Sequence, residues 1–297
     1  MSAERPDLMP LIVGYWKSMA VYAAASLGIA DLLAAGPRSP AELAEATGTQ
    51  AATLRRLLRA LASDGVFAEL PEGRFCLTPL ASRLLSDAPD SQRAAAITNG
   101  EEHYRVWGEI LFSLRTGKTA FEHVYGKPVF DWLAENPRAA ALFDQTMTGV
   151  HGAETAAMLD AYDFSGLGTV ADIGGGNGSM LIAILQRHPR LRGILFDRPH
   201  VVERARSRIA AAGLAERCQA EVGDFFQSVP SGADAYVLRH IIHDWNDNQS
   251  LTILSNCRQA MRPSAKLLLV EAVIPEGNAP CWAKYLDLTM LLIPGGQ

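Results

Sequence analysis

Long apolar runs, a disulfide framework and a surplus of basic charge are all missing from this chain of 297 residues. Lys17 and Asp31 interrupt the N-terminal apolar stretch, and Glu4, Arg5 and Asp7 precede it, which leaves neither a signal peptide nor a membrane-spanning helix to expect. The four cysteines, Cys76, Cys218, Cys257 and Cys281, are widely spaced with no CxxC pair. That excludes a disulfide scaffold and a cysteine-based zinc site, and predicts reduced thiols in a cytoplasmic protein. A formal net charge of −5 lacks the positive footprint that phosphate backbones demand, so no nucleic-acid partner is expected. Aromatic residues are only 7% of the chain, yet 48% hydrophobic and 20% charged residues place it in the ordinary globular range, with length for about two domains.

What is present divides near residue 165. From Leu8 to Phe164 the periodicities are helical, whereas after Thr169 short aliphatic runs alternate with helical patterns. Ser165, Gly166 and Gly168 supply the loop between the two regimes. In the first half, SPAELAEATG and TQAATLRRLLRALASDGVF read as two capped helices, with Leu54, Leu57, Leu58 and Leu61 on one face of the second. FAELPEGRFCLT reads as a two-stranded wing turning at Pro71 to Gly73, which completes a winged-helix pattern. Arg55, Arg56 and Arg59 on the candidate recognition helix are balanced by Glu42, Glu45, Asp64 and Glu69, which favours a structural or dimerising role over DNA binding. The opening helix, WKSMAVYAAASLGIADLLAAG, carries apolar residues on several sides. A subunit interface or burial within its own domain would cover them equally well.

The second half reads as strands at 169–173, 192–196, 217–222, 234–239 and 266–273, with helices at about 178–187, 200–212 and 247–261. This alternation predicts an α/β fold, a Rossmann-like doubly wound parallel sheet whose ligands sit at the carboxyl ends of the strands. After the first of these strands comes Asp172-Ile173-Gly174-Gly175-Gly176-Asn177-Gly178, in which glycines let a ligand approach bare backbone, and the amides of the following helix suit a carboxylate. A dinucleotide fingerprint would need glycine where Ser179 stands, so the loop argues against a nicotinamide cofactor. Asp197 ends the next strand, where a carboxylate can accept both hydroxyls of a ribose, and Asp224 ends the third. Together with Asp172 they predict three acids at three successive strand ends, lining one crevice.

VADIGGGNG, LFDRPHV, GDFF and YVLRHIIHDWND, in this order, make the chain similar to the S-adenosylmethionine-dependent small-molecule O-methyltransferases of plants and bacteria. The resemblance covers nearly the whole chain. It implies a homodimer joined through a winged-helix dimerisation domain at residues 1–100, a helical connector and substrate-pocket segment at 101–164, and a class I methyltransferase domain at 165–297. Residue by residue, it places S-adenosyl-L-methionine on Asp172 and the loop of Gly174, Gly176 and Gly178, the ribose on Asp197, and adenine beside Asp224, Phe225 and Trp245. Arg239 stands where the family has a cofactor-contacting lysine, a change from a point charge to a planar fork.

His243 matches the family's general base, and Glu271 in LLLVEAVIP the acid that orients it. A phenol of pKa near 10 needs such a base at neutral pH, and one of pKa near 6.5 contributes about 10²- to 10⁴-fold. Without the surrounding motifs, His243 would sooner read as a capping or core histidine than as a catalytic one. His240 and His243 also read as a metal pair with Asp244, but no further ligands follow at a suggestive spacing, so no metal is expected. FDQTMTG and LDLTMLL resemble the family's methionine clamps for an aromatic acceptor, implying Met147 and Met290 with Phe143, Trp107 and Asp244 as neighbours. Ordinary helical packing would explain the same residues.

The sequence stops at Gln297, where relatives continue with a helix and the last antiparallel strand pair. The expected sheet therefore lacks its C-terminal strands, leaving one edge open and the second acid beside the catalytic histidine without a counterpart. The function implied is methylation of a hydroxyl on an aromatic or polyketide-type small molecule. The rival is a methyltransferase-like enzyme that uses the bound cofactor for hydroxylation, decarboxylation or cyclisation.

Overall fold

Ser39 opens the helix Pro40–Thr47 with a reciprocal cap: its Oγ accepts from the Glu42 amide at 3.3 Å, and Glu42 Oε2 accepts from the Ser39 amide at 2.7 Å. In the computed structural model, which describes residues 7–150 and 152–296, this helix and the next, Ala51–Ser63, form the expected helix-turn-helix. Leu54, Leu58 and Leu61 on the second helix are buried, and its opposite face carries exposed Arg55, Arg56 and Arg59. Arg55 is tied to Glu69 at 3.3 Å. The wing follows as antiparallel strands β1 (Phe67–Glu69) and β2 (Phe75–Leu77).

The opening helix is not continuous. It runs Gly14–Ser26 and resumes as Ile29–Leu33, because Gly28 adopts φ of 66°, a left-handed conformation that an α-helix cannot continue. Ala24, Ala25, Ile29 and Leu33 enter the core with Leu43, Leu58, Phe67 and Phe75, while Leu11, Tyr15 and Trp16 remain exposed.

The chain forms two compact units: Met1–Arg105 with Arg138–Gly152, and Val106–Pro137 with Ala153–Gln297. The second contains the sheet: β3 (Thr169–Ile173), β4 (Arg192–Asp197), β5 (Cys218–Val222), β6 (Ala235–Arg239) and β7 (Lys266–Val270). The order is β5-β4-β3-β6-β7 and every neighbouring pair is parallel. Period-two alternation divides its core in two. Val170, Leu195, Ala235 and Val237 face the helices Ser179–Arg187 and Pro199–Ala211, while Ala171, Phe196, Tyr236 and Leu238 pack with Ile253 and Cys257 of the helix Asp247–Ala260.

Chain direction reverses between β3 and β6, since β4 and β5 build outward on one side before the chain returns for β6 and β7. Such a switch point opens a crevice at the carboxyl ends of the two strands. The last strand is shorter than its apolar run suggested, ending at Val270 rather than residue 273. Glu271 leaves the ladder, with its side chain engaged by the amides of Ile241 and Ile242. The four cysteines are free, and among the described residues no helix is long and apolar enough to cross a membrane.

Candidate active site

On the β3 side of the switch point, Gly174, Gly176 and Gly178 have φ of 71°, 57° and 79°, conformations that favour glycine. At Gly176 a Cβ would meet nothing within 4 Å, so the backbone there is open to a ligand. Asp197 braces this loop: its Oδ2 accepts from the Gly176 amide at 2.8 Å and its Oδ1 from the Arg198 amide at 2.7 Å.

Asp172 differs from the sequence expectation. It lies within β3, one residue before its end, and is 2% exposed, so it does not line the crevice surface as Asp197 and Asp224 do. Its carboxylate is tucked under the loop, where a Cβ on Gly175 would come within 2.8 Å of Oδ2. That oxygen is buried without a hydrogen-bond partner. Burial pushes the Asp172 carboxyl up to about 7, against the pull of Arg239 and with the Asp197 charge adding to the rise. A buried, unpartnered acid under a glycine loop is the environment into which a cationic ligand group fits.

Asp224 is exposed after β5, and its Oδ1 accepts from the Phe226 amide at 2.9 Å. Phe225, Phe226 and Trp245 form an edge-to-face cluster with centroids 4.8–5.8 Å apart, and Phe130 lies 5.7 Å from Trp245. Phe225 and Trp245, which the resemblance assigns to adenine, are thus in one cluster. Phe130 is an addition that no sequence motif signalled.

On the β6 side, Arg239 ends the strand and donates from Nη1 to Thr155 Oγ1 at 2.6 Å. The following turn, Ile242–Asp244, carries the histidine. His243 Nδ1 stands 2.7 Å from Glu271 Oε2, while Glu271 Oε1 accepts from the amides of Ile241 and Ile242 at 3.1 and 3.0 Å. One oxygen of the carboxylate is thus engaged by the backbone of the histidine's own turn, and the other, buried and without a hydrogen bond of good geometry, lies against its ring. Burial alone would lower the His243 pKa, but the Glu271 contact and the charges of Asp244, Glu271 and Glu154 outweigh it and raise it. Conversely, burial would raise the Glu271 carboxyl, and His243, His240 and the Ile242 amide together hold it below its ordinary value. Asp244, pushed up to about 7 by burial, has Oδ1 3.6 Å from His243 Nε2. The glycine loop and this turn are neighbours, since a Cβ on Gly174 would strike Ile241 Cδ1 at 2.5 Å.

Met290 lies on the helix Ala283–Leu292, which packs on the Ile242–Asp244 turn, and Trp107 lies half-buried on the helix Tyr104–Gly108. Phe143 and Met147 are half-buried on the helix Pro137–Val150, within the first compact unit. One expectation needs correcting: the His240 and His243 pair does meet a third candidate ligand. Atoms of His240, His243 and Glu271 all lie within 4.8 Å of one another, a proximity that sequence spacing hid because Glu271 follows a different strand. Within that group His243 Nδ1 and Glu271 Oε2 are 2.7 Å apart, and His240 Nδ1 and Glu271 Oε2 3.8 Å. Sequence reasoning also missed Glu154 and Thr155, which sit in HGAETAAMLD with no motif around them.

Known proteins are similar to this chain in sequence and fold. A family model described as the O-methyltransferase domain matches residues 107–297, and one described as the O-methyltransferase dimerisation domain matches residues 9–87. The chain is 49% identical over 290 residues to the phenazine O-methyltransferase PhzM of Lysobacter antibioticus, covering 98% of this chain and 85% of that protein. It superposes on the crystal structure of LaPhzM with a TM-score of 0.95 at 49% identity, covering 98% and 87% of the two chains. It also superposes on NcsB1, an O-methyltransferase of neocarzinostatin biosynthesis solved with S-adenosylmethionine and 2-hydroxy-5-methyl naphthoic acid, with a TM-score of 0.84 at 34% identity, covering 99% and 89%. With the glycine loop, the braced Asp197 and the His243–Glu271 contact in place on such a scaffold, the chain belongs to the S-adenosylmethionine-dependent O-methyltransferase family.

Proposed function

We propose that this protein methylates a hydroxyl of an aromatic or polyketide-type small molecule, with His243 as general base and Glu271 as the residue that orients it. The observation that carries the reading is the Glu271 carboxylate, held by two backbone amides and set 2.7 Å from His243 Nδ1, beside a glycine loop backed by a buried acid. The residues fit S-adenosylmethionine: Gly174, Gly176 and Gly178 open the backbone, Asp197 is a carboxylate at the strand end beside that loop, of the kind that would accept from a ribose diol, and Asp172 offers negative charge in a buried place. Asp224, Phe225 and Trp245 would flank adenine, and Arg239 would stand near the amino-acid end. When bound, the cofactor supplies an electrophilic methyl group on a sulfonium sulfur.

The chain's own residues do the rest. With Glu271 Oε2 2.7 Å from His243 Nδ1, that nitrogen would carry the proton, and Nε2 would keep its lone pair for the acceptor's hydroxyl proton. The imidazolium that forms is stabilised by Glu271 and Asp244, in the manner of a triad. Residues that fix the acceptor and the bound methyl donor in one orientation would remove several kcal/mol of barrier. No metal takes part in this scheme. Met147, Met290, Phe143, Trp107 and Asp244 are assigned to the acceptor pocket, where thioethers pack well on aromatic faces. Residues 1–100 serve as the dimerisation domain of a cytoplasmic homodimer, 101–164 as connector and pocket segment, and 165–297 as the cofactor domain. The matched dimerisation-domain model and the exposed apolar side chains of Leu11, Tyr15 and Trp16 support the dimer.

Incubation with methyl-labelled S-adenosylmethionine and a panel of hydroxylated phenazines, naphthoates and simple phenols tests the reading. Label is expected in at least one product, and His243→Ala should abolish transfer while cofactor binding survives. Normal methylation by that variant would remove His243 from the mechanism.

A further inference from the structure

His240 is the non-glycine residue with a positive φ, 54°, among the described residues. Histidine enters this region more readily than most side chains, but the conformation is strained and persists only where its surroundings hold it. Two contacts do so. The His240 amide donates to the Val270 carbonyl at 3.0 Å, and ring Nε2 lies 2.9 Å from both carboxylate oxygens of Glu154. Glu154 and Thr155 are consecutive on the helix Gly152–Ala161, and Arg239 and His240 are consecutive at the end of β6. Arg239 holds Thr155 and His240 holds Glu154, so this helix is latched to the strand end through two adjacent pairs.

The left-handed backbone turns the His240 ring toward the dyad. Its centroid is 5.2 Å from that of His243 at an interplanar angle of 41°, and its Nδ1 is 3.8 Å from Glu271 Oε2, the oxygen that faces His243. Glu154 faces the ring from one side, Glu271 and His243 from the other, and Arg239 is its chain neighbour. The ring therefore packs against both members of the dyad, next to the Glu271 oxygen that faces His243. With 9% of its side chain exposed, it leaves solvent little access from that side.

We propose that Glu154 and His240 form a positioning pair that locks Glu271 onto His243 from behind, so that the orientation of the base depends on a carboxylate carried by the helix Gly152–Ala161. This rests on the reading of His243 as the base. Neither residue touches the reacting atoms; Glu154 acts through His240, and His240 through Glu271.

The test uses the full-length protein with His240→Asn, Glu154→Gln and the double variant. Asparagine enters the left-handed region readily, so His240→Asn retains the backbone turn while removing the ring. Glu154→Gln, at a side chain 34% exposed, retains its shape while removing its charge. The His243 imidazole is titrated by NMR, a readout that needs no turnover. Each single variant should lower its midpoint by about half a pH unit or more, as Glu271 loosens and the Glu154 charge is lost. The double variant should resemble the single ones, because the two residues act as one unit. On the best acceptor of the panel, kcat should fall about tenfold with both KM values within about twofold, the pattern of a misoriented base. A folded His240→Asn or Glu154→Gln protein with the wild-type His243 titration overturns the proposal, as does an additive double variant. If the wild-type protein methylates nothing in the panel, the general-base reading falls, and the NMR titration still decides whether the pair governs His243.

Discussion

His243 Nδ1 and Glu271 Oε2 meet at 2.7 Å although they leave the sheet from different strands, one after β6 and the other after β7. The parallel register pairs Arg239 with Val270, so the residues just beyond both strands emerge side by side. A short turn on one strand and a single residue on the next are then enough to bring an imidazole and a carboxylate together. No long loop has to be ordered, which suits a dyad whose geometry must be held closely.

Glu271→Gln should change both the height and the position of the pH–rate profile. The base works when neutral, so kcat/KM rises with pH through the His243 pKa, which Glu271 helps to raise. Removing that charge leaves burial, which acts in the opposite direction. The acidic limb is expected to move to lower pH while the maximum falls at least about tenfold. A lower maximum with an unmoved limb would mean that Glu271 serves packing alone.

Asp197→Asn tests the cofactor side. Asparagine preserves size but loses charge-assisted acceptance, both from the Gly176 amide and from a ribose diol. Hydrogen bonds to charged groups contribute about 1.5–3 kcal/mol, so cofactor affinity measured by calorimetry should drop roughly 10- to 100-fold. The acceptor KM, read at saturating cofactor, should hardly change. Unaltered cofactor affinity would mean that Asp197 braces the loop and nothing more.

Much of this was legible in the sequence for physical reasons that can be named. Parallel strands buried on both faces write themselves as aliphatic runs, and positions with positive φ favour glycine, so VADIGGGNG and the succession of parallel strands around it could be read directly. What stayed hidden depends on distances that no local pattern encodes. Asp172 reads as an acid at a strand end, yet it lies on the central strand, where both faces are covered and its neighbours Ala171 and Ile173 are buried with it. Glu154 stands in an unremarkable helical stretch and gains meaning only from the His240 ring that the left-handed turn brings to it. The break at Gly28 was similarly masked, because the apolar pattern continues on both sides of it.

Trp16→Glu should separate the subunits of the proposed dimer. Leu11, Tyr15 and Trp16 are 75%, 49% and 61% exposed, a cluster that a lone soluble chain would leave in water. A charge at its centre would have to be buried unpaired on association. Sedimentation velocity should show a dimer for the parent chain and a monomer for the variant; a variant that remains dimeric would place the interface elsewhere.

Asp172 gives a prediction in which binding and stability have opposite signs. Its carboxyl, pushed by burial up to about 7, binds more protons in the folded than in the unfolded chain. Its contribution to stability is therefore fully present below the ordinary carboxylate range near 3.8 and is lost as pH rises through about 7. Asp172→Asn stays neutral, so the ligand-free variant should melt higher than the parent chain at pH 8, with the difference vanishing toward pH 4. A cationic group of the cofactor placed near the carboxylate acts the other way, lowering its pKa and expelling the proton. Cofactor binding by the parent chain near pH 7 should then release a fraction of a proton, seen by calorimetry in buffers of different ionisation heat, and affinity should increase between pH 6 and 8. Asp172→Asn should lose both the release and the pH dependence, and bind more weakly. Proton uptake on binding would contradict the placement of positive charge beside Asp172, whereas release without any effect of Asp172→Asn would assign that proton to another group.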